Sequence, residues 1–262
     1  MKKKAVAVIM AAVMAMGMVS VVSVQAGVED KTLIVGFDAE YPPYGYMDEN
    51  GEYTGFDLEL AQAVCDLEGW KLEKKPINWD SKDMELNSGS IDCIWNGFTM
   101  NGREDDYTFS EPYVDNSQVI VVAEDSGIDK LTDLAGKTVG VQAASAALDL
   151  LQSEEEGGQK ELADTFGALN EFADYNTAFT ELQAGALDAL AIDIGVAKYQ
   201  LNSRGEGFKI LDETLNTEQY AIGFKKGNDE LCDIVNADLQ KLADDGTVAE
   251  LAEKYEIADM VT

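Results

Sequence analysis

The sequence predicts an α/β protein of two similarly built lobes, each a mostly parallel sheet flanked by helices. Apolar runs of strand length alternate with segments of helical periodicity nearly throughout, and strands separated by helices imply parallel βαβ units. Without its leader the chain keeps 236 residues, more than one hydrophobic core usually serves. The alternation also runs twice. Leu86-Asn87-Ser88-Gly89-Ser90-Ile91-Asp92 is echoed by Leu182-Gln183-Ala184-Gly185-Ala186-Leu187-Asp188, a helix closing on glycine and an apolar-Asp pair opening a strand. A cleft between the two lobes is where such a design places a ligand.

Residues 1–26 read as the leader, a signal peptide. Lys2, Lys3 and Lys4 precede an apolar run from Ala5 to Val22, and Val24-Gln25-Ala26 fits a small-residue cleavage site. The run nearly reaches membrane-spanning length, so an uncleaved anchor is the alternative. No Cys ends the segment to carry a lipid. The reading is an exported protein, periplasmic or extracellular and associated with the cell envelope.

The elements follow in order. Thr32 to Phe37 is a short apolar, β-branched strand, and Asp48-Glu49-Asn50-Gly51 is a turn with a strong Asn-Gly hairpin signal. Phe56, Leu60, Ala63, Val64 and Leu67 recur at helical spacing. Leu72 to Ile77 reads as a strand, Asp80 as the cap of a short helix toward Leu86, and Ile91 to Trp95 and Gln118 to Ala123 as further strands. The second round has a short helix at Lys130 to Leu134, a strand at Lys137 to Val141 and a helix from Ser145 to Leu151. A strand at Glu171 to Tyr175, a helix at Thr177 to Ala184, a strand at Leu187 to Ile192 and a helix from Val196 to about Asn202 come next. Gln219 to Phe224 reads as one strand, and helices at Asp229 to Ala243 and Thr247 to Tyr255 finish the chain. Glu154-Glu155-Glu156-Gly157-Gly158 is a solvated loop.

Fifty acidic against 19 basic residues give a net charge of −31, or −34 once the leading lysines are gone. Such a surface repels nucleic acid and anionic membrane. The absence of histidine removes Ser-His-Asp and Cys-His catalysis and every His-ligated metal site. Of the three cysteines, Cys65 on a helix and Cys93 on a strand are placed to meet in one core, bridged or as free buried thiols, and at least one of the three stays unpaired within the chain.

Against this acidic background, Ile91 to Tyr113 (IDCIWNGFTMNGREDDYTFSEPY) carries a lone arginine, Arg103, after a strand and a polar turn. Either Glu104, Asp105 and Asp106 neutralise it at the surface, or its guanidinium fork is aimed at a ligand carboxylate.

A series of motifs chooses between these. They are Gly36-Phe37-Asp38 with Tyr41-Pro42-Pro43-Tyr44, Gly55-Phe56-Asp57-Leu58, Asn87 to Asp92, Gly97-Phe98-Thr99, Phe109-Ser110-Glu111-Pro112-Tyr113, Asp133 to Gln142, Gly185 to Ala189, and Gly246 to Tyr255. In series they resemble the family 3 extracellular solute-binding proteins, the polar amino-acid-binding components of ABC transporters, over residues 30–258. The resemblance implies a two-lobed, type II periplasmic-binding-protein-like fold. One lobe takes residues 28–117 with 222–262 and the other 118–221, with hinge crossovers near Asn116–Val119 and Glu218–Ile222. It implies a monomer, not an enzyme, that binds a free amino acid without a cofactor or metal and passes it to a membrane permease.

Carried over residue by residue, the resemblance has Arg103 clamp the ligand carboxylate, helped by Thr99 and Ser145, and Asp193 take the ammonium with the Gly97 carbonyl. Tyr41 and Trp79 would sandwich the side chain, with Asp38 beside that pocket. Asp57, Asp92 and Asp188 belong to the structural pattern. Two departures stand out. Thr99-Met100-Asn101-Gly102-Arg103 is one residue shorter than the usual Thr-x-Thr-x-x-Arg, and Ala144-Ser145-Ala146 stands where Gly-Ser-Thr is favoured, so a left-handed backbone at residue 144 would be less comfortable. The alternatives are a dehydratase-type enzyme on the same scaffold acting on a cyclic carboxylic acid, with Asp38 or Asp193 as its acid, and a chemoreceptor ligand carrier.

Overall fold

The computed structural model describes residues 31–262; the leader lies outside them. The chain opens with β1 (Thr32–Phe37). A small antiparallel sheet of β2 (Glu40–Tyr41), β3 (Gly45–Met47) and β4 (Tyr53–Thr54) follows, then α1 (Phe56–Glu68), β5 (Lys71–Pro76), α2 (Lys82–Ser88), β6 (Cys93–Ile94) and β7 (Tyr107–Phe109). β8 (Val114–Ala123) enters a second sheet, continued by β9 (Thr138–Gln142), α3 (Ala146–Gln152), α4 (Lys160–Ala163), β10 (Ala168–Phe172), α5 (Tyr175–Gln183), β11 (Ala189–Asp193), α6 (Ile194–Arg204), β12 (Phe208–Ile210) and β13 (Asn216–Tyr220). β14 (Gly223–Lys225) returns to the first sheet, and α7 (Asp229–Asp244) and α8 (Thr247–Lys254) close the chain.

The first sheet has the order β5-β1-β6-β14-β7 and the second β10-β9-β11-β8-β12, with β13 also on β8. The expected parallel pairing holds for β5-β1-β6 and for β10-β9-β11, the strands joined through helices. It gives way to antiparallel pairing where the chain returns, at β6-β14-β7 and at β11-β8 with β12 and β13. Apolar faces of α1 (Leu60, Ala61, Val64) and α5 (Ala178, Phe179, Leu182) are buried against these sheets.

The repeated Ser-Gly and Ala-Gly motifs have one structural meaning in both halves. Gly89 and Gly185 take left-handed φ of 76° and 73°, which ends the helix cheaply only for glycine. The aspartate that follows then makes a two-bond latch to the parallel strand beside the one it opens. Asp92 N–H donates to Ile34 O at 2.8 Å while its Oδ2 accepts from Ile34 N at 2.8 Å. Asp188 repeats this on Thr138, at 2.9 and 2.8 Å.

Several elements depart from the sequence reading, each for a local reason. Gln219 to Phe224 is not one strand: β13 pairs in the second sheet, β14 in the first, and the chain crosses at Ala221-Ile222. The strand expected at Glu171 to Tyr175 ends at Phe172, because Asp174 Oδ1 accepts from Thr177 N at 2.7 Å and starts α5 at Tyr175. Asp80 caps nothing; it lies in a 3₁₀ turn, Trp79–Ser81, that runs into α2. β8 begins four residues before Gln118, since its first half pairs with β13. Cys65, Cys93 and Cys232 are all free and buried. No helix among the described residues is long and apolar enough to cross a membrane.

Candidate functional site

Arg103 leaves a turn pinned to the second sheet. Its own N–H donates to Met100 O at 3.0 Å, Met100 N donates to Gln219 O at 3.0 Å, and Asn101 Oδ1 accepts from Gln219 N at 2.7 Å. Gly102, at φ 79°, lets the shortened turn close. The guanidinium lies over the Phe98 ring, 5.1 Å from its centre. Nη1 donates to Thr99 O at 3.3 Å and Nη2 to Asp149 Oδ2 on α3 at 2.7 Å. Glu104, Asp105 and Asp106 are exposed, and the acid that Arg103 pairs with is Asp149.

Arg103 shares a small cavity, about 10 Å³, with Tyr41, Trp79, Gly97, Thr99, Gln142, Ser145, Ala146 and Asp193. Every residue expected at the site is therefore brought together there except Asp38. Gly97 sits at φ 56°, and a Cβ on it would meet Tyr220 Cε2 at 2.9 Å and Tyr41 Cε1 at 3.0 Å. Its N–H donates to Asp57 Oδ2 at 2.5 Å, and Asp57 Oδ1 accepts from Tyr113 OH at 2.9 Å. Asp57 thus supports the loop from beneath, with its carboxyl pushed up to about 7 by burial. Ser145 is the N-cap of α3: its hydroxyl donates to Gln142 O at 2.8 Å and accepts from Leu148 N at 3.1 Å. Ala144 does take the left-handed conformation, φ 54°.

Asp193 is buried beneath the cavity. Its Oδ1 accepts from Asn116 Nδ2 (2.9 Å), Gln118 Nε2 (2.6 Å) and Tyr220 OH (2.6 Å), and its Oδ2 from Tyr175 OH at 3.4 Å. It stands at the N-cap position of α6 but makes no side-chain cap bond. Beside it lies Glu218, whose Oε1 accepts from Thr99 Oγ1, Asn116 Nδ2 and Gln118 Nε2 at 2.7–2.8 Å. The Thr99 hydroxyl is thereby committed to Glu218.

Asn116, Gln118, Glu218 and Tyr220 were expected only within the hinge crossovers, not as site residues. They occupy one face of the β8–β13 ribbon, where Asn116 opposes Glu218 and alternate residues point inward. That alternation of buried polar side chains was the available signal. Lys82 was missed as well. It is 5% exposed, donates from Nζ to Ala144 O at 3.2 Å and lies over Trp79. Burial, then the Arg103 charge, holds its ammonium below the ordinary lysine range.

A wider cavity of about 810 Å³ adjoins the small one, with Trp79 bordering both. Asp38 lines it, 6% exposed, with Oδ1 accepting from Glu40 N at 2.8 Å and Oδ2 from Gln142 Nε2 at 2.7 Å. Burial pushes the Asp38 carboxyl up to about 6. Five more carboxylates share the lining: Glu40, Asp80, Glu85, Glu171 and Asp174. Ile77, Trp79 and Phe172 supply apolar surface, and the described lining holds no Lys or Arg.

Comparison with known proteins identifies the family and the fold. The family model of bacterial extracellular solute-binding proteins, family 3, matches residues 33–258. The arginine-binding extracellular protein ArtP of Bacillus subtilis (strain 168) is 34% identical over 229 residues, 86% of each chain. The L-cystine-binding protein TcyJ of Escherichia coli (strain K12) is 29% identical over 235 residues, 88% of this chain and 85% of that one. A substrate-binding protein of an ABC uptake transporter from Streptococcus pneumoniae, with bound histidine, matches with TM-score 0.82 at 33% identity over 88% of this chain and 94% of its own. An ancestral arginine-binding protein bound to arginine matches with TM-score 0.76 at 39% identity over 86% and 97%. The chain belongs to the bacterial extracellular solute-binding proteins, family 3, and has their two-lobed type II fold.

Proposed function

We propose that this family member binds a free amino acid with a cationic side chain between its lobes and hands it, chemically unchanged, to the membrane permease of an ABC importer. The observation that carries the reading is the junction of two unlike cavities at Trp79. The small one offers one arginine and one buried aspartate, Arg103 and Asp193, the complement of a zwitterion that loses its water on entry. The wide one offers an apolar wall and six carboxylates, of which Glu85 is already paired with Lys75, the complement of a guanidinium or ammonium on a flexible stem.

In this reading Arg103 holds the carboxylate, with backbone donors at Thr99 and Ser145, while Asp193 and the Gly97 carbonyl hold the ammonium. Tyr41 and Trp79 flank the stem, and Asp38 meets the terminal charge. A cation beside Asp38 favours its ionised form and offsets the burial that raises its carboxyl. Residues 28–117 with 222–262 form one lobe and 118–221 the other. A ligand touching both favours the closed state by the contacts it gains there. The protein works as a monomer released from its leader outside the cytoplasmic membrane.

A thermal-shift screen of the amino acids tests this. A bound ligand at 100 times Kd stabilises by about 2.7 kcal/mol, which raises Tm by roughly 5–10 °C for a chain of this size. L-Arginine and L-lysine are expected to give such shifts and L-aspartate and L-glutamate none. Stabilisation by acidic amino acids alone, or turnover of a cyclic carboxylic acid, would reverse the assignment.

A further inference from the structure

Glu218 does not line the cleft, yet it is bound into the same cluster as Asp193. We propose that Glu218 carries a proton when the cleft holds no cation, and that the ammonium of an amino acid arriving at Asp193 expels it. Glu218 is then a positioning residue for ammonium recognition, and binding releases a proton. The proposal rests on the assignment of Asp193 to the ligand's ammonium.

The geometry requires some such proton. Asn116 Nδ2 and Gln118 Nε2 each donate to both acids, at 2.6–2.9 Å, which holds Asp193 Oδ1 and Glu218 Oε1 within about 5 Å of each other. Two carboxylates that close in a buried site do not both ionise freely. Among the described residues no Lys or Arg donates to either. The cluster is also short of donors. Having given their N–H groups to the acids, the amides leave Asn116 Oδ1 and Gln118 Oε1 buried without a partner, on residues 3% and 0% exposed. An acceptor-rich, desolvated cluster of this kind takes up either a proton or a cationic donor.

The other ionisable groups around the pair do not supply that proton. Tyr220 on β13, Tyr175 on α5, Tyr41 on β2 and Tyr44 beyond it are pushed well above the ordinary phenol range by burial, so all stay neutral. Arg103 reaches the cluster only through the Thr99 carbonyl. Burial, then the Asp193 charge, pushes the Glu218 carboxyl up to about 7. Glu218 is therefore mostly protonated at pH 6, about half protonated near pH 7 and mostly ionised at pH 8. The incoming ammonium keeps its own three protons, and the one it displaces goes to the buffer. Affinity falls as pH drops through 7 and levels off above it.

Calorimetric titration of L-arginine in phosphate and in imidazole buffer, at pH 6, 7 and 8, counts the protons released. Asp38 contributes its own release with a cationic ligand, so the readout is wild type minus Glu218→Gln. The variant keeps an acceptor at Oε1 and loses only the titrating site. The expected difference is about 0.9 proton at pH 6 and about 0.1 at pH 8, with the pair alone weakening Kd about tenfold between pH 8 and 6. Should the variant not bind, wild type must still release about half a proton from the pair at pH 7, where Asp38 with its carboxyl at about 6 holds little. If L-arginine gives no heat at pH 8, the ligand class is wrong, and L-glutamine, with the same α-ammonium, carries the same measurement. A difference near zero at pH 6, or a wild-type count near zero at pH 7, overturns the proposal.

Discussion

Arg103 enters the cleft already holding an anion of its own chain. Asp149 Oδ2 accepts a hydrogen bond from its Nη2 at 2.7 Å, and the two side chains are 13% and 62% exposed. If Arg103 holds the ligand carboxylate as proposed, that carboxylate joins or replaces this partner. An exposed acid is a weak competitor, worth about 0–1 kcal/mol, whereas a carboxylate clamped in a desolvated cleft is worth far more. Arg103→Ala is accordingly expected to weaken amino-acid binding by roughly 100-fold or more with Tm unchanged, while Asp149→Asn changes Kd only a few-fold, toward tighter binding. Calorimetry on the two variants checks both, and near wild-type affinity in Arg103→Ala would remove Arg103 from the site. At this scale most of the candidate site could be assembled from the sequence. Tyr41, Trp79, Gly97, Thr99, Arg103, Ser145 and Asp193 come from widely separated segments and meet around one cavity. Glu218, Asn116 and Gln118 were not legible, because an alternating polar strand reads equally well facing water. Only the pairing of β8 with β13 turns those side chains inward.

The aspartate latches explain why the two halves echo each other. β6 and β11 begin pairing only at Cys93 and Ala189, and Asp92 and Asp188, one residue earlier, supply both a donor and an acceptor to Ile34 and Thr138 of the neighbouring parallel strand. Replacing either by Ala leaves a partly buried N–H without its carboxylate, at a cost of about 1–2 kcal/mol. Asp92→Ala and Asp188→Ala should each lower Tm by roughly 2–8 °C and leave ligand affinity alone, since neither lines the cleft; thermal melts and calorimetry on the same samples decide it. A change in Kd would instead tie the latches to the site. The long helices α1 and α7 were readable from periodicity because α1 buries Leu60, Ala61 and Val64 and α7 buries Leu231, Val235 and Leu242 along one side. β2, β7 and β12 are two or three residues long, too short to carry a period, and they exist because a neighbouring strand completes them. The split of Gln219 to Phe224 was hidden for a different reason. Tyr220, Ala221 and Ile222 are all fully buried, so the change of sheet leaves no break in hydrophobicity.

At the scale of the molecule, the excess of carboxylates acts on the ligand before contact. A net charge of −31 surrounds a cleft whose wider cavity is itself walled by acids, and low-dielectric walls focus such a field outward. A zwitterion with a neutral side chain feels little net force, and an anionic one is turned away. A ligand with net charge +1 is drawn in, over a range set by the Debye length, about 30 Å at 0.01 M salt and about 8 Å at 0.15 M. The association rate of L-arginine should therefore fall several-fold across that range of ionic strength while that of L-glutamine stays nearly constant, with dissociation rates changing less than association. Stopped-flow tryptophan fluorescence reads this directly, because Trp79 borders both cavities. Equal salt dependence for the two ligands would mean that the acidic surface serves solubility alone and that discrimination begins only inside the cleft, where Asp38 and its neighbours act at contact range.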